Sequence, residues 1–102
     1  MSIRNLFDLK GRVALVTGAA GHLGSEFSLA LAEAGCHVLL NGRDSKKLDV
    51  MSRRINNQGG CSRALRFDVT KEVQVKKALS QIRTAYGRLD ILVNNDYDGA
   101  TT

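Results

Sequence analysis

The chain has 102 residues, 43% of them hydrophobic and 25% charged, which suits one ordinary folded domain and is too apolar for a disordered chain. It has no run of about 18 apolar residues that would read as a membrane-spanning helix, and no secretory signal is read in Met1-Ser2-Ile3-Arg4-Asn5. Two cysteines are too few for a disulfide framework or a four-cysteine zinc site and point to a reducing cytoplasm, while the net charge of +5 favours anionic partners without choosing among them.

Four short apolar runs alternate with three helical patterns. Val13-Ala14-Leu15-Val16 is continuous and ends in Thr17-Gly18, as expected of a strand buried on both faces. From Leu23 to Ala34 the apolar residues Leu23, Phe27, Ala30, Leu31 and Ala34 follow a helical spacing, and Gly35 supplies the stop. Val38-Leu39-Leu40 is a second strand, closed by Asn41-Gly42. Asp44 or Ser45 caps the next helix, whose inward stripe is Leu48, Met51 and Ile55; Gly59-Gly60 ends it. Residues 63–67 read as a third, weaker strand. Thr70 is expected to cap a helix carrying Val75, Leu79, Ile82 and Tyr86 inward, with Gly87 at its end. Ile91-Leu92-Val93 is the fourth strand, followed by Asn94-Asn95. Residues 1–95 are therefore expected to form one domain and 96–102 a polar tail.

Strands alternating with helices of this length require parallel pairing through right-handed crossovers. The fold class is α/β: a doubly wound parallel sheet of four strands in the order 3-2-1-4, with helices on both faces. Ligands in such sheets bind beyond the carboxyl ends of the strands, where the order reverses beside strand 1. That places the turn from Thr17 to Gly24 at the functional edge.

Thr17-Gly18-Ala19-Ala20-Gly21-His22-Leu23-Gly24 follows a strand and opens a helix. Gly18 permits the sharp exit, the inner small residues let backbone N–H groups approach a phosphate, and Gly24 lets the helix pack on the sheet. The helix N-terminus adds partial positive charge beneath an anion. With this turn go Asn41-Gly42-Arg43 after strand 2, Asp68-Val69-Thr70 after strand 3, and Asp90-Ile91-Leu92-Val93-Asn94-Asn95. In this order and at these separations, the four segments resemble the short-chain dehydrogenase/reductase family over nearly the whole chain, from Leu9-Lys10-Gly11-Arg12 through Asn95.

The resemblance implies a Rossmann fold and NAD(P)(H)-dependent oxidoreduction of an alcohol or carbonyl. It implies a cofactor set of Gly18, Gly21, His22, Leu23, Gly24, Arg43, Asp68, Val69 and Asn94, with Asp68 facing the adenine and Asn94 tying strand ends together beside the cofactor. Two departures stand out. The usual turn, T-G-x-x-x-G-x-G, would place glycine at His22; this chain fits T-G-x-x-G-x-x-G, the spacing of the family's extended branch. The Asn-Asn motif normally continues Ala-Gly, and here continues Asp96-Tyr97.

Charge selects the cofactor. An acid that holds an adenosine 2′-hydroxyl belongs about 20 residues past the glycine turn, at the end of strand 2. Gly42 stands there, followed by Arg43, whose guanidinium suits a 2′-phosphate. NADP(H) is therefore expected over NAD(H), with Asp44 read as a helix cap rather than a ribose ligand. His22 either donates to a pyrophosphate oxygen or stays exposed at the helix start, and the second reading is favoured. His37 is expected at the surface, and Cys36 and Cys61 as free thiols at the starts of neighbouring strands.

The family's serine and Tyr-x-x-x-Lys pair have no counterpart here. Asp90 stands four residues after Tyr86, and Thr101 four after Tyr97. No catalytic residue is assigned, and the chain by itself is expected to bind dinucleotide without turnover. The alternative is a non-catalytic nucleotide-binding or regulatory module. Arg53-Arg54, Arg63, Arg66 and Lys76-Lys77 lack interleaved aromatic residues and read as solvated surface, not a nucleic-acid interface. Strand 4 would form an open edge, so association, as a homo-oligomer or through that edge, is expected.

Overall fold

A computed structural model describes residues 8–95. The strands are β1 (Val13–Val16), β2 (His37–Leu40), β3 (Cys61–Ala64) and β4 (Ile91–Val93); the helices are α1 (His22–Glu33), α2 (Ser45–Asn57) and α3 (Glu72–Tyr86). All strand pairs are parallel and the sheet order is β3-β2-β1-β4. This is the expected α/β, Rossmann-type arrangement. The expectations for residues 1–7 and for the 96–102 tail, including Tyr97, lie outside the described residues.

Side chains alternate across the two central strands and divide the core. Ala14, Val16, Val38 and Leu40 point to the face covered by α1 and α2, where they meet Ala32, Leu48, Met51 and Ile55. Val13, Leu15 and Leu39 point the other way, toward Ile82 of α3. The central strands thus bury both faces, which is why β1 reads as an unbroken apolar run. The α2 stripe Leu48, Met51 and Ile55 is buried as its spacing indicated, and Asp44 is the cap: its Oδ1 accepts from the Lys46 and Lys47 N–H groups.

Four expectations need correction. Within α1 the buried residues are Gly24, Ser28 and Ala32, one position beyond Leu23, Phe27 and Leu31; Leu23 and Phe27 are 54% and 41% exposed and Ala30 is exposed too, whereas Leu31 packs on the core and Ala34, just past the helix, is buried as expected. The small stripe lets the helix lie close to the sheet, and the Ser28 hydroxyl is satisfied by donating to the Gly24 carbonyl at 2.8 Å. In α3 Ile82 is buried and Tyr86 packs beside it as expected, with Val75 half-buried, but Ala78 is buried in place of Leu79, which is exposed. Thr70 does not cap that helix; its N–H and hydroxyl both donate to Asp68 Oδ1. Finally, the third strand is Cys61–Ala64 rather than 63–67, although the chain stays paired one step further through Leu65 N–H to the Leu40 carbonyl at 2.8 Å.

Candidate dinucleotide site

The carboxyl ends of β1, β2, β3 and β4 meet along one edge, and the residue types there explain how three loops are held together. Thr17 ties the glycine turn to β4. Its N–H donates to the Val93 carbonyl, its hydroxyl lies 3.3 Å from Asn94 Oδ1, and it accepts from Asn95 N–H at 2.8 Å. Asn94, just past β4, thus bonds to Thr17, just past β1.

The turn is tight because two glycines permit it. Gly18 has φ +60°, in the left-handed region. A Cβ on Gly24 would stand 1.9 Å from the Gly18 carbonyl oxygen, so only glycine allows α1 to begin where it does. Gly21 precedes the helix in extended conformation, and no side chain caps the helix or adds acidic charge to its first turn. The first-turn N–H groups are thus presented at an edge where Gly21, His22 and Leu23 are all exposed. His22 is exposed at the helix start.

Asn41, fully buried at the end of β2, is the hub that sequence reading missed. Its carbonyl accepts Ala19 N–H from the glycine turn at 2.8 Å. Its Nδ2 donates to the Leu65 and Phe67 carbonyls at 3.1 and 3.0 Å, pinning the chain beyond β3. An asparagine before a glycine reads locally as a turn residue; its partners, 24 and 26 positions away, give no local signal.

A cleft of about 240 Å³ opens beside Asn41, lined by Gly42, Arg43, Arg66, Phe67, Asp68 and Gln74. That is smaller than a pocket enclosing a whole drug-sized ligand and suits one end of a longer molecule. Gly42 is buried, and a Cβ there would come within 3.2 Å of Leu48. Arg43 is exposed at the cleft. Asp68 is held below the ordinary carboxylate range, first by the Thr70 hydroxyl, then by the Thr70 N–H, with further help from Arg43 and Lys71. Its own N–H donates to Gln74 Oε1 at 2.8 Å. Val69 follows, half-buried. The structure therefore gathers the glycine turn, Arg43, Asp68-Val69 and Asn94 along one sheet edge. It also brings in Arg66, read from sequence as solvated surface: Arg66 Nε donates to the Arg43 carbonyl at 2.8 Å.

The family model described as short chain dehydrogenase matches residues 12–96. The chain belongs to the short-chain dehydrogenase family. The chain is 38% identical over 92 residues to 2-dehydro-3-deoxy-D-gluconate 5-dehydrogenase of Formosa agariphila, covering 89% of the chain and 35% of that relative. It superposes with a TM-score of 0.87 and 34% identity on a metagenomic short-chain oxidoreductase in complex with NADP, covering 90% of the chain and 42% of the other. An oxidoreductase from Haemophilus influenza with bound NAD gives the same TM-score at 28% identity, over 95% and 35% of the two chains. The chain spans about a third of the length of the curated relatives it matches.

The other residues singled out in the sequence lie elsewhere. His37 is half-buried, not a surface residue, and its ring nitrogen lies 3.0 Å from the Tyr86 hydroxyl. Burial first, then the Arg63 charge, lowers its basicity. Cys36 and Cys61 are both free, and burial followed by the Asp90 charge pushes the Cys36 thiol up, which makes it a poor nucleophile. No cluster of metal-ligating side chains occurs among the described residues. None of the helices formed by those residues is long and apolar enough to cross a membrane.

Proposed function

We propose that these residues form the dinucleotide-binding part of an NADP(H)-preferring oxidoreductase acting on an alcohol or carbonyl. The observation that carries the preference is the pairing of Gly42 and Arg43 at the cleft with the engagement of Asp44 elsewhere. Asp44 Oδ1 already accepts two backbone N–H groups of α2. Gly42, at the end of β2, brings no carboxylate to a ribose 2′-hydroxyl, whereas the Arg43 guanidinium beside it suits a 2′-phosphate.

The residues present fit the cofactor. Gly18, Gly21, His22, Leu23 and Gly24 would hold the pyrophosphate through backbone N–H groups at the uncapped start of α1. Arg43 would take the adenosine side, Asp68 and Val69 would face the adenine, and Asn94 would keep β4 registered against the turn. When bound, the nicotinamide supplies the hydride chemistry. The chain's own part is to bind and orient. With no serine and Tyr-x-x-x-Lys assigned, these 102 residues are proposed to bind without turnover.

Residues up to 95 act as one binding unit, in a reducing compartment such as the cytoplasm that suits the free thiols Cys36 and Cys61. The partner surface is the β4 edge, where Leu92 is 59% exposed at one end of the sheet and available to pair with another strand. Calorimetric titration with NADP(H) and NAD(H), before and after Arg43→Ala, tests the reading. NADP(H) should bind more tightly, and the substitution should weaken it by about tenfold, or about 1.4 kcal/mol, while NAD(H) changes little. Equal affinities in the unaltered chain would refute the preference.

A further inference from the structure

We propose that Arg66 is a second specificity-determining residue, which joins Arg43 on the 2′-phosphate of the cofactor at the cleft that both line. The proposal rests on the NADP(H) reading above and extends it to a residue just past the end of β3.

Arg66 and Arg43 are 23 positions apart in sequence, and the parallel pairing of β2 with β3 brings them to one cleft. The Arg66 side chain is already oriented. Its Nε donates to the Arg43 carbonyl at 2.8 Å, leaving the two Nη groups for another acceptor. The backbone on either side is fixed as well, because Asn41 Nδ2 donates to both the Leu65 and the Phe67 carbonyls. A guanidinium held this way loses less side-chain freedom on binding than a free surface arginine.

Charge gives the chemical class of ligand. A phosphate monoester carries between about −1.5 and −2 at pH 7. One guanidinium leaves such a group partly uncompensated, whereas two neutralise it. The cleft also contains the Asp68 carboxylate, which repels an anion; its Oδ1 is occupied by Thr70, and Arg43 offsets part of its charge. A single exposed cation would be a weak anchor beside that carboxylate, and the second one tips the balance.

The test titrates the full chain with adenosine 2′,5′-bisphosphate and with 5′-AMP, which differ only in the 2′-phosphate. Arg66→Ala, Arg66→Lys, Arg43→Ala and Arg63→Ala are compared, each checked for unchanged thermal unfolding. Arg63 is exposed on the neighbouring stretch of β3 and controls for net charge. Arg66→Ala should weaken the bisphosphate by about tenfold and 5′-AMP by less than about twofold, with Arg66→Lys intermediate and Arg63→Ala unchanged. Equal effects of Arg66→Ala and Arg63→Ala, or equal loss for both ligands, would overturn the proposal. Retained preference for the bisphosphate in Arg66→Ala, with loss in Arg43→Ala, overturns the Arg66 assignment alone. No preference in the unaltered chain overturns the NADP(H) reading and this proposal together.

Discussion

The two ends of the sheet are built to opposite rules. At the amino end, polar groups are satisfied by one another. The Asp90 carboxylate accepts Val13 N–H at 2.8 Å and Arg88 Nε and Nη2 at 3.0 and 2.7 Å, with Arg12 at 3.5 Å. Leu9 N–H donates to the Ala34 carbonyl, and His37 N–H to that of Arg12. At the carboxyl end, Thr17, Asn41 and Asn94 lock the loops to one another, yet the start of α1 is uncapped and Arg43 stays exposed. The closed end holds the strands in register. The open end presents donors and cations held in place by buried neighbours, the condition under which binding costs little reorganisation.

The largest test of that contrast is Gly24→Ala. Its Cβ would stand against the Gly18 carbonyl, so the turn or α1 must move. A loss on the order of 3 kcal/mol in urea unfolding is expected, together with loss of dinucleotide binding. If the variant keeps both, the turn is not the rigid element described.

Asp90→Asn probes the closed end and should leave the ligand preference intact. The Asp90 carboxyl lies below its usual value of 3.8, chiefly through its Arg88 hydrogen bond and next through Val13 N–H. The folded state therefore binds that proton less tightly than the unfolded chain does. Its stabilisation is present above about pH 4 and disappears as pH falls through the depressed value. Urea midpoints of the two proteins should differ at pH 7 and converge in acid; a gap that does not depend on pH would contradict this.

Asp44→Ala removes a helix cap and should cost about 1 kcal/mol. It should not shift the NADP(H)-to-NAD(H) ratio toward NADP(H), as it would if Asp44 held a ribose. The smallest effect belongs to His22→Ala. The side chain is exposed, so stability should change by less than about 0.5 kcal/mol. Affinity should move by less than about twofold if backbone groups carry the pyrophosphate contact.

Much of this contrast was legible before the fold. The strand-helix alternation, the sheet order, the α2 stripe and the Asp44 cap all rest on contacts within a few residues or on patterns that parallel pairing demands. The phase of α1 was not legible. Leu23, Phe27 and Ala30 make a convincing stripe, but the contact between Gly24 and Gly18 rotates Gly24, Ser28 and Ala32 toward the sheet instead. The role of Thr70 was misread for a related reason, since the Asp68 carboxylate two residues earlier competes for it.

The chain's own residue order therefore determined the elements, their sequence along the sheet and the edge at which a ligand would be met, because hydrophobic period and glycine position act locally. Only the tertiary structure decided that Asn41 clamps three loops and that Arg66 shares a cleft with Arg43. Those facts depend on which residues parallel strands bring side by side, and partners more than twenty positions apart leave no periodic trace in sequence.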